Sequence, residues 1–305
     1  MHTNKKKLKL GRVFVYSLLT VGSAIMAYPL LYAVLGSFCN IEDFIASPII
    51  PIPRHLYLEN YTIMAKASFP ILLWVKNTLI RVVWYITIPG IIAILGGYAF
   101  ARLEFRGRET VFTYLLSSMM LPGIVFWIPT YIMLARFPGA GGNNWLGQGG
   151  GGFINKWPAL LIPGLVNVYY IFLLRQTFYS IPEDFEEAAR IDGANTLQIM
   201  WNIYLPMLKP TMTVMVLFQA VAMWNDYQWP LIATVGNPDI FTLALGVQRA
   251  LLTGASLKGW PPGTAITDYP FSFALATAAS LPTILLFLWL QDYFVEGVQG
   301  FAIKG

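Results

Sequence analysis

The chain has 305 residues, of which 56% are hydrophobic and 11% charged, and its formal net charge is +5. A soluble domain of this length carries about 25% charged residues, so too little polar surface is available to coat a water-soluble globule, and lipid is the expected solvent. Two histidines, His2 and His55, and one cysteine, Cys39, exclude a His-based metal cluster, a multi-cysteine zinc site and an internal disulfide.

The N-terminus sets Lys5, Lys6, Lys7 and Lys9 before an apolar run, the outline of a signal peptide. The run Val13–Phe38 is longer than the roughly 7–15 residues of a cleaved hydrophobic region, and bulky Phe38 before Cys39 argues against lipoprotein cleavage. Residues 1–12 are therefore read as a cytoplasmic tail and Val13–Phe38 as a retained first span. A crossing helix needs about 20 apolar residues. Trp74–Ala99, Val111–Leu134, Trp157–Leu174, Thr211–Val235 and Phe271–Phe294 also qualify. The expectation is an all-α polytopic membrane protein with six transmembrane helices over residues 13–294 and a short cytoplasmic tail, 295–305. Pro29, Pro89-Gly90, Pro122-Gly123, Pro163-Gly164 and Pro282 fall inside these stretches, as kinks or as ordinary bundle packing.

Orientation follows from Lys and Arg. With both termini inside, the inner segments hold Lys5, Lys6, Lys7, Lys9, Arg12, Arg102, Arg106, Arg108, Arg175, Arg190, Lys209 and Lys304. The outer segments hold only Arg54, Lys66, Lys76, Arg136, Lys156, Arg249 and Lys258. This imbalance favours the N-in, C-in arrangement and explains the positive charge without nucleic acid as a partner. The outer loops are then about 39–73, 135–156 and 236–270. Gly149–Gly152 and Trp260-Pro261-Pro262-Gly263 mark the second and third as irregular connections.

The inner loop at about 176–210 contains Ser180-Ile181-Pro182-Glu183-Asp184-Phe185-Glu186-Glu187-Ala188-Ala189-Arg190-Ile191-Asp192-Gly193. Ser180 and Glu183 have capping-box spacing, and Pro182 is tolerated in a first turn. The acids gather at the positive end of the helix dipole, with Arg190 at the other end. Gly193 is the natural stop. Phe185, Ala188 and Ala189 share one side at helical spacing. So short a helix must pack on something. Its acidic character argues against lying on a membrane surface and favours seating in the groove of a soluble partner.

Glu187-Ala188-Ala189, three residues, Gly193, nine residues and Ile203-Tyr204-Leu205-Pro206 resemble the EAA loop of ATP-binding-cassette importer permeases. Asn77-Thr78-Leu79, Gly97-Tyr98-Ala99-Phe100-Ala101-Arg102, Trp224-Asn225-Asp226-Tyr227, Trp229-Pro230-Leu231 and the tail Gly300–Gly305 are similar to the carbohydrate-uptake branch, in particular its shorter, maltose-type permease. The resemblance implies a bacterial-type inner-membrane subunit paired with a second permease, two ATPases and an extracytoplasmic solute-binding protein, moving a sugar or oligosaccharide. It further implies that Phe185, Glu187, Ala188, Ala189, Asp192 and Gly193 dock on an ATPase subunit. No cofactor is then expected on this chain, with ATP and Mg held by the partners.

Arg81 and Asp226 lie inside spans, where a charge costs about 2.5–3.5 kcal/mol, so both should face protein or water, as part of a solute path with Trp224 and Asn225 or as a structural ion pair. Trp84, Tyr85, Trp127, Tyr169 and Trp224 are of a type that stacks on sugar rings, although interfacial belts explain most such aromatics. There is no G-x-x-x-x-G-K-[ST] motif and no nucleophile–base set, so the chain is not expected to be an enzyme. A stand-alone ion-coupled transporter or channel is the rival reading. It predicts more buried ionisable groups and leaves the acidic loop unexplained.

Overall fold

The computed structural model describes residues 3–66, 69–234, 236–257 and 269–302, and every regular element among them is helical. In chain order they are α1 (Thr3–Ser37), α2 (Ile41–Ala46), α3 (Glu59–Lys66), α4 (Ile71–Arg102), α5 (Arg108–Ser118), α6 (Trp127–Ala135), α7 (Trp157–Leu161), α8 (Val168–Ser180), α9 (Asp184–Ile191), α10 (Thr196–Ile199), α11 (Leu205–Asn225), α12 (Gln228–Ala233), α13 (Leu243–Leu257) and α14 (Tyr269–Ala302). A π-helical turn, Met200–Tyr204, joins α10 to α11.

Three stretches are long and apolar enough to cross a membrane: Gly11–Ser37, Ile71–Arg102 and Thr196–Asn225. A fourth results if α5 and the segment Gly123–Ala135 are taken together. The expected third, fourth and fifth spans are not continuous helices, the fifth stopping at Asn225 and resuming at Gln228. The third bends by 95° between Ser118 and Gly123, where Pro122 adopts extended backbone (φ −57°, ψ 131°). The fourth stops after Leu161 and restarts at Val168. Gly164 takes a left-handed φ of +79° there, and the Asn167 side chain caps the new helix by accepting from Tyr170 N at 3.3 Å. Hydropathy sums over such breaks without registering them. Pro29, Pro89 and Pro282, in contrast, stay inside unbroken helices.

The segment expected as an irregular third outer loop differs too: its residues Leu243–Leu257 form α13, whose Leu243, Leu245 and Ala250 are buried. Trp260–Gly263 and Lys258 lie outside the described residues, as do Ile303-Lys304-Gly305 of the tail. The segment 135–156, expected as the second outer loop, is irregular as expected, but closed on itself. Asn143 Nδ2 donates to Ala135 O and Phe137 O at 2.9 and 3.1 Å, and Asn143 Oδ1 accepts from Gly150 N at 2.9 Å.

The chain divides into two compact units, Met1–Phe69 with Val247–Leu281, and Pro70–Gly246 with Pro282–Gly305. In the first, Tyr32, Phe44 and Phe273 meet with ring centroids 5.6, 5.7 and 5.9 Å apart. Buried Asn60 ties off Ser37 O and Cys39 O at 2.9 and 3.0 Å.

The second unit holds a core of Ala93, Tyr98 and Ala101 from α4, Ile171, Leu174 and Phe178 from α8, and Ile199, Tyr204 and Leu208 from the α10–α11 segment. Gly97 lets α4 and α8 approach closely. A Cβ there would stand 2.7 Å from Leu174 Cβ and 3.2 Å from Arg175 N, the small-residue contact that brings spanning helices together. Gly97→Ala is expected to cost about 1–3 kcal/mol through overpacking, read as a lowered melting temperature of the detergent-solubilised protein. Gly90→Ala, with nothing within 4 Å of the added Cβ, should leave it close to wild type.

Candidate functional site

The loop singled out by its sequence forms α9, but its start differs from the expected capping box. Ser180 is the last residue of α8, and its hydroxyl donates back to Thr177 O at 2.7 Å. Glu183 occupies the cap position and makes no capping bond. Its carboxylate pairs instead with Arg102 at 2.7 Å. The Arg102 side chain is buried, and it donates to Phe178 O at 2.8 Å and to Ile181 O. Thus Arg102, at the end of α4, holds both the last turn of α8 and the entry to α9.

The helix ends as its glycine predicts. Gly193 has φ +83°, Ala194 N donates to Ala189 O at 2.9 Å, and Gly193 N donates to Arg190 O at 3.1 Å. These are the two bonds of a Schellman motif, which satisfies carbonyls left over at the helix end. The chain then enters α10 through a true capping box, Asn195 with Gln198, at 2.8 and 2.9 Å. Two short helices are thereby set at a fixed bend.

Which side faces out is the second correction. Ala189 is half-buried against the core, whereas Phe185, Glu187, Ala188, Ile191 and Asp192 are exposed. Phe185 is 50% and Ile191 86% exposed, and beyond the bend Leu197 and Trp201 are 78% and 72% exposed. The exposed surface therefore combines carboxylates with large apolar side chains, a composition suited to a protein groove.

Facing in, and missed by the sequence reading, is Glu186. Its carboxylate accepts from the Tyr204 hydroxyl, from Arg190 at 2.7 Å and from the Tyr98 hydroxyl at 3.3 Å. Burial alone would raise its pKa; the bonds from Tyr204, Arg190 and Tyr98 outweigh it and hold the carboxyl below the usual carboxylate range. The available signal was Tyr204, the tyrosine inside Ile203-Tyr204-Leu205-Pro206.

Of the residues assigned to a solute path, Arg81 and Asp226 meet. Arg81, 2% exposed, pairs with Asp226 at 2.6 Å. Arg81 Nε also reaches Leu160 O at 3.4 Å, and Asp226 accepts from Trp229 N at 3.3 Å. Arg81 belongs to a set of donors aimed at the end of α7 and the break after it. Trp84 Nε1 donates to Leu161 O at 2.9 Å, Trp229 Nε1 to Ala159 O at 2.8 Å, and the Tyr85 hydroxyl to Leu160 O at 3.2 Å and to Pro163 O. An interrupted helix within the bilayer needs such side chains for its freed carbonyls. Trp224 is half-buried near the end of α11, and Asn225, exposed, bonds its own helix at Val221 O. Trp127 packs on the cluster of Leu134, Ala159, Leu160 and Trp229, and Tyr169 is 45% exposed. An apolar cavity of about 220 Å³ opens between α4, α8 and α11, lined by Tyr85, Gly90, Ile94, Tyr170, Met215 and Gln219 among others; Arg81, Trp224, Asn225 and Asp226 do not line it. Among the described residues no group of three or more His, Cys, Asp or Glu is arranged to hold a metal.

The family model described as "Binding-protein-dependent transport system inner membrane component" matches residues 91–300. The chain belongs to this family. As an inner-membrane component it is part of a transport machine and not an enzyme. Known relatives match almost end to end. The arabinooligosaccharides transport system permease protein AraQ of Halalkalibacterium halodurans is 27% identical over 294 residues, covering 94% of this chain and 96% of that one. The lactose transport system permease protein LacG of Rhizobium radiobacter is 26% identical, covering 96% of each. The sn-glycerol-3-phosphate transport system permease protein UgpE of Brucella suis is 26% identical, covering 92% and 93%. In fold the inner-membrane component is similar to a chain from the crystal structure of a bacterial transporter importing the polysaccharide alginate. The TM-score is 0.72 at 21% identity, over 94% of this chain and 97% of that one.

Proposed function

We propose that this chain is one of two permease subunits lining the path of a sugar or oligosaccharide importer, with ATP bound and hydrolysed, with Mg, on two cytoplasmic ATPase subunits. The observation that carries this is the exposed acidic–apolar face of α9 and α10, fixed at the Gly193 bend. A surface of that kind suits a soluble groove and not lipid. In this reading Phe185, Glu187, Ala188 and Asp192 meet the ATPase, Gly193 sets the angle, and Ala189 seats the helix. Closure of the ATPases on ATP pushes α9 and thereby the helices behind it. The chain spans six times with both ends cytoplasmic, the broken third, fourth and fifth spans each counted once, and a binding protein delivers solute from the other side. One alginate transporter chain of related fold, at TM-score 0.62 and 14% identity, was solved in complex with a pentasaccharide-bound periplasmic protein.

The substrate class rests on the relatives named above, two of which carry saccharides by name, whereas UgpE carries a polyol phosphate. Arg81 and Asp226 are read as a lock on the broken fourth span, since each spends its charge on the other; Trp224 and Asn225 remain the path candidates. The test is ATP hydrolysis by the purified transporter in proteoliposomes, challenged with its binding protein and a panel of arabino-, galacto- and gluco-oligosaccharides, amino acids and peptides. Stimulation by a saccharide is expected. Stimulation by an amino acid or peptide, with none by any saccharide, would overturn the substrate class.

A further inference from the structure

α9 is attached to its bundle by little. One face is open, and its apolar anchor is the single methyl of Ala189. The remaining attachments are polar: Glu183 to Arg102 at the entry, and Glu186 one turn on. Glu186 stands on the Tyr98–Phe178–Tyr204 cluster, whose ring centroids lie 5.2, 5.7 and 5.8 Å apart. Tyr98 belongs to the last turns of α4, Phe178 to the last turn of α8, and Tyr204 immediately precedes α11. Phe178 and Tyr204 are 0% and Tyr98 5% exposed.

We propose that Glu186 is a positioning residue, the joint through which a displacement of α9 reaches α4 and α11. This rests on the reading of α9 as the ATPase docking helix. Glu187 and Ala188 meet the partner, while Glu186, their neighbour, points the other way and grips Tyr204 and Tyr98. The two halves of the loop motif, around Glu187 and around Ile203–Pro206, are thus connected through one carboxylate. A methyl seat such as Ala189 can slide. A carboxylate holding a hydroxyl from each of two helices resists displacement in direction as well as distance, because charge-assisted bonds are short and oriented.

The groups facing Glu186 are Tyr98 from α4, Tyr204 before α11 and Arg190 on α9 itself, with the Arg102 guanidinium 5.8 Å from the Tyr204 ring. The bonds hold Glu186 ionised below the usual carboxylate range. Its contribution is therefore complete at neutral pH and is lost only as pH falls through that lowered value.

The test compares wild type, Glu186→Gln and Tyr204→Phe in the full transporter purified from membranes, by backbone hydrogen exchange with and without trapping by ATP and vanadate. In wild type, trapping is expected to change exchange in residues 184–191 and also in α4 and α11. In both variants the ATPase should still be recovered and the change should remain confined to 184–191, whose amides should exchange about tenfold faster without nucleotide, the equivalent of about 1.4 kcal/mol for the lost bonds. Tyr204→Phe removes one hydroxyl and preserves the ring packing, so it guards against a folding defect in Glu186→Gln. Variants that pass the change to α4 and α11 as wild type does would overturn the joint while leaving docking intact. Absence of any ATPase from the wild-type preparation would instead overturn the docking reading on which the joint rests.

Discussion

Asp226→Ala is expected to destabilise the solubilised protein by about 3–5 kcal/mol, and Arg81→Met with Asp226→Leu to recover most of that loss. Arg81 is almost completely enclosed, and among the described residues Asp226 is its one salt-bridge partner. Removing the carboxylate leaves a buried guanidinium with the Leu160 carbonyl at 3.4 Å and the face of the Tyr85 ring at 5.5 Å, neither of which carries a compensating charge. Replacing both partners removes the desolvation penalty along with the attraction, so the double variant should melt close to wild type. The measurement is thermal unfolding of wild type, Arg81→Met, Asp226→Leu and the double variant in one detergent, analysed as a double-mutant cycle, with Asp226→Ala measured beside them. Additive losses would show that the residues do not act as a pair. Because the pair braces the break after α7, Asp226→Ala should also speed hydrogen exchange in residues 157–167 before it affects α9.

Gly193→Ala is expected to lower the solute moved per ATP by about tenfold, with docking of the ATPase retained. The position has φ +83° and nothing within 4 Å of an added Cβ, so the substitution has no steric cost against neighbours. Its cost is conformational, about 1–2 kcal/mol for an L residue in the left-handed region, and 1.4 kcal/mol shifts a population tenfold. The bend between α9 and α10 then relaxes in most molecules. Asn tolerates this conformation better, so Gly193→Asn should retain much more coupling than Gly193→Ala. Glu187→Ala acts differently: it alters the exposed face and not the bend, so it should weaken recovery of the ATPase. The check is transport of a stimulating saccharide and ATP hydrolysis measured in the same proteoliposomes. Wild-type coupling in both Gly193→Ala and Glu187→Ala would contradict the assigned roles.

Local signals were read correctly where local physics decides. Gly193 ends α9 because only the left-handed region closes a Schellman motif, and that requirement is written in one residue. The Arg81–Asp226 pair was one of two stated options, since a charge inside a span must find a partner. What failed was non-local. Ser180 and Glu183 have capping-box spacing, but Arg102, 81 residues from Glu183 in sequence, claims the Glu183 carboxylate, and the Ser180 hydroxyl turns back to α8. In the sequence Glu186 is one of four acids, with Glu183, Asp184 and Glu187, gathered at the positive end of the helix dipole. Its burial depends on Tyr98 and Tyr204, which no periodicity within α9 reveals. The Pro-Gly pairs in the third and fourth spans leave kink and ordinary packing equally open, because hydropathy is blind to direction. Pro89-Gly90 lies in unbroken α4, whereas Pro163-Gly164 lies in a break lined by Arg81, Trp84, Tyr85 and Trp229. The dipeptide is the same, and the surrounding donors differ. Asn77 and Thr78, noted only as a motif, anchor the segment before α13: Asn77 Nδ2 donates to Asp239 O and Phe241 O at 2.8 and 3.0 Å, and Leu243 N donates to Thr78 Oγ1 at 2.8 Å.

The most direct test of the central claim is affinity purification of the tagged protein from its native membrane in mild detergent, followed by mass spectrometry of what accompanies it. The account predicts an ATPase, a second permease of similar type and a solute-binding protein, with the ATPase lost when Glu187 is replaced by Lys. Recovery of the protein alone, or as a homo-oligomer without any ATPase, would contradict it and favour a stand-alone, ion-coupled transporter.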